Sequence, residues 1–207
     1  ERKKQMERHG QFMKTKSIPA VIMLTAGFVA VAAGDGVQQL FRDLGVQQIV
    51  SGGQTMNPST EDILHAAEQV PAMDVYVLPN NKNIVMAAEQ AARLARTSGV
   101  RRIHVVPTTT IPQGISAMMA YDESAEIKDN VEAMQEAASR VQSGSVTFAA
   151  RDSDYDGHQI KEGELLALEN GKVAFTGTDL GSVTAKVAKD LMREDSQFIT
   201  QIGRAHV

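Results

Sequence analysis

A repeated pattern of apolar run, polar loop and amphipathic helix constrains the fold of this chain more than any other feature. Between residues 28 and 121, four short apolar runs alternate with helical segments, at 28–33, 48–50, 75–78 and 102–106. Strands separated by helices pair in parallel, because each crossover returns the chain to the same end of the sheet. Such crossovers are right-handed. The pattern therefore predicts a doubly wound or flavodoxin-like, mostly parallel α/β sheet over residues 28–121.

The pattern changes on the C-terminal side of this region. Residues 122–143 are predicted to form a helical connector, and residues 144–201 a smaller α+β part with strands at 146–151, 165–168 and 172–175. Asn170-Gly171 and residues 154–157 carry turn signals. A helix with Val183 and Val187 on its inner face follows. A last strand starts at Phe198 and stops by residue 200, so this second part is expected to be truncated.

The two ends of the chain carry separate expectations. Residues 1–27 are predicted to be a linker or the end of a preceding segment. Residues 202–207 match the read-through of a common sequencing adapter, and we expect them to be non-native.

Composition excludes several functional classes. A net charge of −4 and a pI of about 5.7 argue against general nucleic-acid binding, which needs a basic surface. The chain has no cysteine, which is consistent with a cytoplasmic protein. The apolar stretch at residues 18–33 is shorter than the ~20 residues that span a bilayer, so no membrane span is predicted.

Three polar loops follow strands of the predicted sheet, at residues 52–60, 80–83 and 108–114. The carboxyl ends of parallel strands meet at one edge, where open α/β sheets bind their ligands. The candidate binding residues in these loops are Gly52, Gly53, Gln54, Thr55, Asn57, Asn80, Asn81, Lys82, Asn83, Thr108 and Gln113.

The chemistry of these loops favours binding over catalysis. Their amide and hydroxyl side chains form hydrogen bonds but do not titrate near neutral pH, and Lys82 is the one cation among them. General acid–base catalysis needs a group with a pKa near the working pH. A docking or ligand-holding surface is favoured. Bracing of the loop backbones by these side chains and a catalytic centre remain as alternatives.

Other motifs give weaker indications. Gly34-Asp35-Gly36 lacks the third glycine of a dinucleotide-binding loop, and no Walker A motif occurs, so nucleotide binding is not predicted. The run from Asp152 to Gly157 resembles the first half of a calcium loop. Gly163 stands where that loop needs its closing Glu, so a β-turn between strands is favoured over a metal site.

Three segments in order closely resemble the C-terminal region of the FakA/YloV family, whose members are DhaL-containing relatives of dihydroxyacetone kinase. They are SGGQTMNPSTED (51–62), LPNNKNI (78–84) and VPTTTIPQGIS (106–116). Residues 31–36 and 143–147 extend the resemblance, which covers roughly residues 28–200.

The resemblance implies a function that the residues alone do not. In that family an N-terminal DhaL domain binds ATP and magnesium. The C-terminal region, of DhaK/DegV-like fold, engages FakB, a DegV-type fatty-acid-binding protein, and the fatty acid becomes an acyl phosphate for phospholipid synthesis. The present chain lacks the ATP-binding domain, so the resemblance implies no catalytic residue and no cofactor within it.

The resemblance also leaves alternatives open. It implies a homodimeric full-length protein, of which this chain would be a fragment. A stand-alone DegV-like lipid-binding module is the main alternative, and it needs a deep apolar pocket. A stand-alone enzyme related to dihydroxyacetone kinase would need a nucleophile that the loops do not offer, so whether the chain is itself an enzyme stays undecided.

Overall fold

Four parallel strands form the central layer of the first part of the chain. The computed structural model describes residues 24–52, 57–155, 158–196 and 198–203. The strands are β1 (Gly27–Ala32), β2 (Gln48–Ser51), β3 (Asp74–Leu78) and β4 (Arg102–Val105), in the order β2-β1-β3-β4. This order is that of a flavodoxin-like sheet, with its topological switch point between β1 and β3. The predicted parallel α/β sheet is confirmed.

Helices cover both faces of this sheet. They are α1 (Asp35–Asp43), α2 (Thr60–Gln69), α3 (Val85–Ser98), α4 (Ile111–Met119) and α5 (Ile127–Arg140). Helices α2 and α3 bury one face, where Ala88, Ala91 and Ala95 let α3 approach the strands closely. Helices α1, α4 and α5 bury the other face around Phe41 and Tyr76. Two-sided burial explains why β1 and β3 read as continuous apolar runs.

Local signals fix where several helices begin and end. Ser59 and Asp62 form the predicted capping box of α2, in which the Ser59 hydroxyl accepts from the Asp62 N–H at 3.1 Å and the Asp62 carboxylate accepts from the Ser59 N–H at 2.8 Å. Helix α3 ends at Ser98 and is capped by Gly99, whose φ of 69° places it in the left-handed region that glycine adopts without strain.

The second part of the chain is antiparallel. Its strands are β5 (Gly144–Phe148), β6 (Ser153–Tyr155), β7 (His158–Ile160), β8 (Leu165–Glu169) and β9 (Lys172–Gly177), followed by α6 (Leu180–Leu191). Strands β5, β8 and β9 form one sheet, and β6 pairs with β7. Val183 and Val187 of α6 pack on Leu165 and Ala167. The predicted turn at Asn170-Gly171 is confirmed: both residues have positive φ, as a two-residue hairpin requires.

Several boundaries differ from the sequence-based expectations. Strand β5 starts two residues before the predicted one and ends at Phe148. The strand predicted from Phe198 does not form: residues 198–200 have no regular secondary structure, and no strand of the described residues pairs with them. A strand needs a neighbour for its backbone groups, and an apolar run alone does not supply one. Residues 1–23 and 204–207, which include most of the predicted linker and tail, lie outside the described residues.

The predicted connector is largely part of the first core. Helix α5 buries Met134 and Ala138 in the same cluster as Tyr76 and Leu78. This segment therefore packs on the parallel sheet.

Gly144→Ala should destabilise the second part. A Cβ at Gly144 would lie 2.4 Å from Val187 Cγ1 and 2.7 Å from Leu191 Cδ1, so α6 would have to move away from the sheet. We expect a loss of about 1–3 kcal/mol, the usual range for overpacking, measured by urea unfolding.

Gly181→Ala in α6 is the matched control. Its Cβ would meet only Asp179 Oδ2, at an ordinary 3.5 Å, so no loss of stability is expected. Equal effects of the two substitutions would contradict the packing described for Gly144.

Candidate functional site

Parallel pairing brings the carboxyl ends of the four strands to one edge of the sheet. The loops that leave β2, β3 and β4 all start there, as predicted. We call this edge the polar rim and define it by the candidate residues that the structure describes there, which are Gly52, Asn57, Asn80, Asn81, Lys82, Asn83, Thr108 and Gln113. Gly53, Gln54 and Thr55 lie outside the described residues.

Asn80 ties three strand ends together beneath the rim. Its N–H donates to Thr108 Oγ1 at 3.1 Å, and the Thr108 hydroxyl donates back to Asn80 Oδ1 at 2.8 Å. Asn80 Nδ2 donates to the Val31 carbonyl oxygen at 3.0 Å, which closes the switch point between β1 and β3. Asn80 is 7% exposed and Thr108 is fully buried. These two candidate residues therefore brace the rim from inside and present little surface to a ligand.

The bracing fixes the start of α4 as well. A Cβ at Gly114 would lie 2.1 Å from Asn80 Oδ1, so only glycine lets the first turn of α4 pass over this side chain. Asn80 itself has a φ of 54°, a left-handed conformation that asparagine adopts more readily than most residues.

The loop after β3 turns its next side chains outward. Asn81 is half-buried and its Oδ1 accepts from the Asn83 N–H at 2.9 Å, which holds the loop in a tight turn. Lys82 and Asn83 are exposed. Met86, in the first turn of α3, is 78% exposed, and sequence reasoning missed it. The sequence could have predicted this exposure, because the helical period places Met86 away from the alanines that face the sheet.

The side-chain oxygen of Gln113 accepts hydrogen bonds within its own loop. Its Oε1 accepts from the Thr109 N–H at 2.7 Å and from the Thr109 hydroxyl at 2.9 Å. Thr110 caps α4 by accepting from the Gln113 N–H at 3.4 Å. Bracing of the loop backbones therefore accounts for Asn80, Thr108 and the Oε1 atom of Gln113. Binding stays a prediction, carried by the exposed Asn57, Lys82 and Asn83 and by the half-buried Gly52 and Asn81.

Carboxylates also lie at this edge, at the starts of helices. Asp35 is exposed in the first turn of α1, and sequence reasoning gave it no role. Glu61 and Asp62 open α2. Hydrogen bonds from the Ser59 backbone and hydroxyl lower the pKa of Asp62, which moves it further from neutrality. The residues that define the polar rim carry amide, hydroxyl or ammonium groups, or no side chain, and no carboxylate or imidazole.

A cluster of titratable side chains around the buried Asp74 lies at the opposite edge of the first sheet. Arg102 Nε donates to Asp74 Oδ1 at 2.8 Å, with a second bond from its Nη2, and His104 Nε2 lies 2.9 Å from the same Oδ1. Asp74 is six residues upstream of Asn80, roughly 20 Å along an extended strand. The hydrogen bond from Arg102, against the opposing effect of burial, lowers the pKa of Asp74.

The candidate calcium loop gives no support for a metal site in the described residues. Asp152 Oδ1 accepts from the Glu162 N–H at 2.7 Å and so closes its own loop. No group of three or more His, Asp or Glu side chains within the described ranges is arranged to hold a metal ion. Asp156 and Gly157 lie outside those ranges. Among the helices of residues 24–52, 57–155 and 158–196, none has the length and apolar character needed to cross a membrane.

Comparison with known proteins decides the family. The model of a fatty acid kinase family, that of FakA-like C-terminal regions, matches residues 27–207, starting at the first residue of β1. The chain belongs to this FakA-like C-terminal family. The resemblance carried by the three loop segments is thereby confirmed, while the DhaK/DegV-like fold stays a prediction.

Relatives of this family member are longer proteins. Uncharacterised proteins of Staphylococcus epidermidis and Staphylococcus haemolyticus are 44% identical over 175 residues, covering 84% of this chain and 31% of theirs. An uncharacterised protein of Staphylococcus aureus is 38% identical over 184 residues, covering 89% of this chain and 33% of its own. The chain thus spans about a third of the length of these curated relatives.

Gly114→Ala and Asn80→Gly should be strongly coupled. In the wild-type background Gly114→Ala is expected to cost about 1–3 kcal/mol, because its Cβ collides with Asn80. In the Asn80→Gly background the colliding side chain is gone and the φ of 54° is tolerated, so the same substitution should be nearly neutral. A double-mutant cycle by urea unfolding measures this. Additive effects would contradict the contact.

Asp74→Asn should change how the free energy of unfolding depends on pH. The pKa of Asp74 is held below its ordinary 3.8, so its stabilisation is present above pH ~4 and is lost as pH falls through the lowered value. At pH 7 the free energy of unfolding of the variant should be about 1–2 kcal/mol lower than that of wild type. The loss is smaller than for a fully buried ion pair because the Arg102 side chain is largely exposed. The difference from wild type should shrink at pH 3. Asp190→Asn, at an exposed site in α6, is the control and should show little difference at either pH.

Proposed function

We propose that this chain is the partner-docking region of a fatty acid kinase and that its polar rim contacts a DegV-type fatty-acid-binding protein. The complete kinase would convert the bound fatty acid to an acyl phosphate, in the cytoplasm, with ATP and magnesium held by another region of the protein. The chain itself would supply recognition and no catalytic group.

The observation that carries this proposal is the combination of family membership with the chemistry of the rim. Its exposed side chains at Asn57, Lys82 and Asn83 donate and accept hydrogen bonds without a proton-transfer group among them. Beneath them the Asn80 hydrogen bonds fix the loop backbones before a partner arrives. A preorganised surface loses less conformational entropy on binding, which favours a docking role.

The lipid-binding alternative needs a pocket that can enclose an acyl chain. A depression beside the rim, lined in part by Val106 and Gln113, has a volume of about 190 Å³. Pockets that enclose small-molecule ligands usually measure about 300–1,000 Å³. This depression is too small and too open for a fatty acid, which favours protein docking over lipid holding at this edge.

Isothermal titration of the purified 207-residue chain against the DegV-type protein tests the proposal. Wild type should bind, and the double variant Lys82→Ala, Asn83→Ala should bind at least tenfold more weakly, equivalent to about 1.4 kcal/mol. The reason is that both side chains are exposed at the rim, where a docked partner would contact them.

Lys128→Ala serves as the matched control for this titration. Lys128 is an exposed lysine in the first turn of α5, at the far edge, with a weak i,i+4 pair to Glu132 at 3.7 Å. It should leave the affinity unchanged. Unchanged affinity of the rim variant, or no binding by wild type, would count against the proposal.

A further inference from the structure

The turn between β8 and β9 carries the only Asn-Gly pair of the sequence, at Asn170 and Gly171. Asparagine is among the thermolabile residues, because its side-chain amide can be attacked by the backbone nitrogen of the residue that follows. The other asparagines of the chain are followed by proline, asparagine, lysine, isoleucine or valine. Glycine obstructs this attack least, since it has no side chain beside its nitrogen. The sequence therefore singles out Asn170.

The structure leaves the attacking nitrogen open. Gly171 is exposed, with a φ of 82°, and a Cβ added there would meet no atom within 4 Å. Its N–H donates a hydrogen bond to no acceptor among residues 24–52, 57–155, 158–196 and 198–203. Loss of the Gly171 amide proton to hydroxide therefore breaks no bond of the described fold.

The side chain that would be attacked is weakly held. Asn170 is exposed, its Oδ1 accepts from the Ser143 N–H at 3.3 Å, and its Nδ2 donates to Gln142 Oε1 at 3.2 Å. Both distances exceed the usual ~2.9–3.0 Å. By contrast, Asn80 and Asn130 are 7% and 2% exposed, and Asn130 Nδ2 donates a hydrogen bond of 2.7 Å. Turning the Asn170 amide toward Gly171 thus requires a local opening that disturbs no part of the core.

We propose that Asn170 is a site of spontaneous deamidation in the folded chain. The Gly171 nitrogen, after its proton has gone to hydroxide, forms a bond to Asn170 Cγ, and the bond from Cγ to Nδ2 breaks. Ammonia leaves and a five-membered succinimide ring remains. Water then opens the ring at either carbonyl, which gives an aspartyl or an isoaspartyl residue at position 170. The net reaction consumes one water and releases one ammonia, with no other reagent.

The isoaspartyl product cannot keep the present turn. It carries the main chain through the side-chain carbon, so the turn gains one backbone atom. A two-residue turn of defined geometry pairs Glu169 with Lys172, and the extra atom breaks that match. The hydrogen bonds from the Asn170 N–H to the Ser143 carbonyl, at 2.8 Å, and from the Ser143 N–H to Asn170 Oδ1 depend on the same turn.

The change extends from this turn to the first part of the chain. Ser143 Oγ shares a hydrogen bond of 2.9 Å with Thr110 Oγ1, and the same Thr110 oxygen caps α4. Deamidation at Asn170 therefore loosens the hairpin from Ser143 and, through Thr110, the start of α4. This proposal is independent of the docking function.

Peptide mapping of the intact 207-residue chain tests the chemistry. The chain is incubated in mildly alkaline and in mildly acidic buffer and then digested with trypsin, which releases residues 162–172 by cleavage after Lys161 and Lys172. Chromatography with mass spectrometry separates the asparaginyl, aspartyl and isoaspartyl forms of this peptide. Conversion at Asn170 should be at least tenfold faster than at Asn81 or Asn130, and slower in acid. Conversion at Asn170 that is no faster than at those two residues would overturn the proposal.

Hydrogen–deuterium exchange of the aged chain tests the structural consequence. The deamidated fraction, isolated by anion exchange, should exchange at least fivefold faster than fresh protein at the β8–β9 turn and at the start of α4. Asn170→Gly is the matched control, because glycine tolerates the φ of 49°, keeps the backbone N–H that bonds Ser143, and has no amide to lose. After the same incubation its exchange should be unchanged. Unchanged exchange in the deamidated fraction, or an equal change in the aged Asn170→Gly variant, would contradict the proposed loosening.

Discussion

The buried hydrogen bonds of Asn80 are the interaction on which the rest of this structure depends. The Asn80 side chain donates to the Val31 carbonyl oxygen near the end of β1 and accepts from the Thr108 hydroxyl, which follows β4. It lies where the strand order reverses. Because Asn80 fills that crevice, the edge where open α/β sheets usually hold a ligand is closed at its base. The same side chain requires glycine at position 114 and so sets the start of α4. The outward direction of Lys82 and Asn83 follows from this internal constraint.

The two edges of the parallel sheet carry separate hydrogen-bond networks. The Asp74, Arg102 and His104 cluster joins β3 to β4 at their first residues, far from the rim. The second part is tied to the rim side by a short series of bonds. Thr110 and Ser143 share a hydrogen bond of 2.9 Å, and the Asn170 N–H donates to the Ser143 carbonyl at 2.8 Å. The antiparallel sheet is thus anchored close to the surface that we propose contacts the partner.

The sequence predicted the features that depend on local pattern. Apolar runs separated by helices gave the parallel sheet, and the capping box at Ser59 and the turn at Asn170-Gly171 were read from residue type and spacing. The sequence could not predict that Asn80 and Thr108 point inward, because residue type alone does not distinguish a loop asparagine that faces solvent from one that faces α4. It depends on an approach between residues 80 and 114 that only the folded chain defines. The strand expected at Phe198 failed for a similar reason, since pairing requires a neighbour.

Hydrogen–deuterium exchange of the 207-residue chain, with and without the DegV-type fatty-acid-binding protein, tests the docking account most directly. Residues 79–86 and 106–115 should become protected on binding, while β6, β7 and the first residues of β3 and β4 should exchange as before. Protection centred on the antiparallel sheet or on the Asp74 edge, with the rim unchanged, would contradict the account.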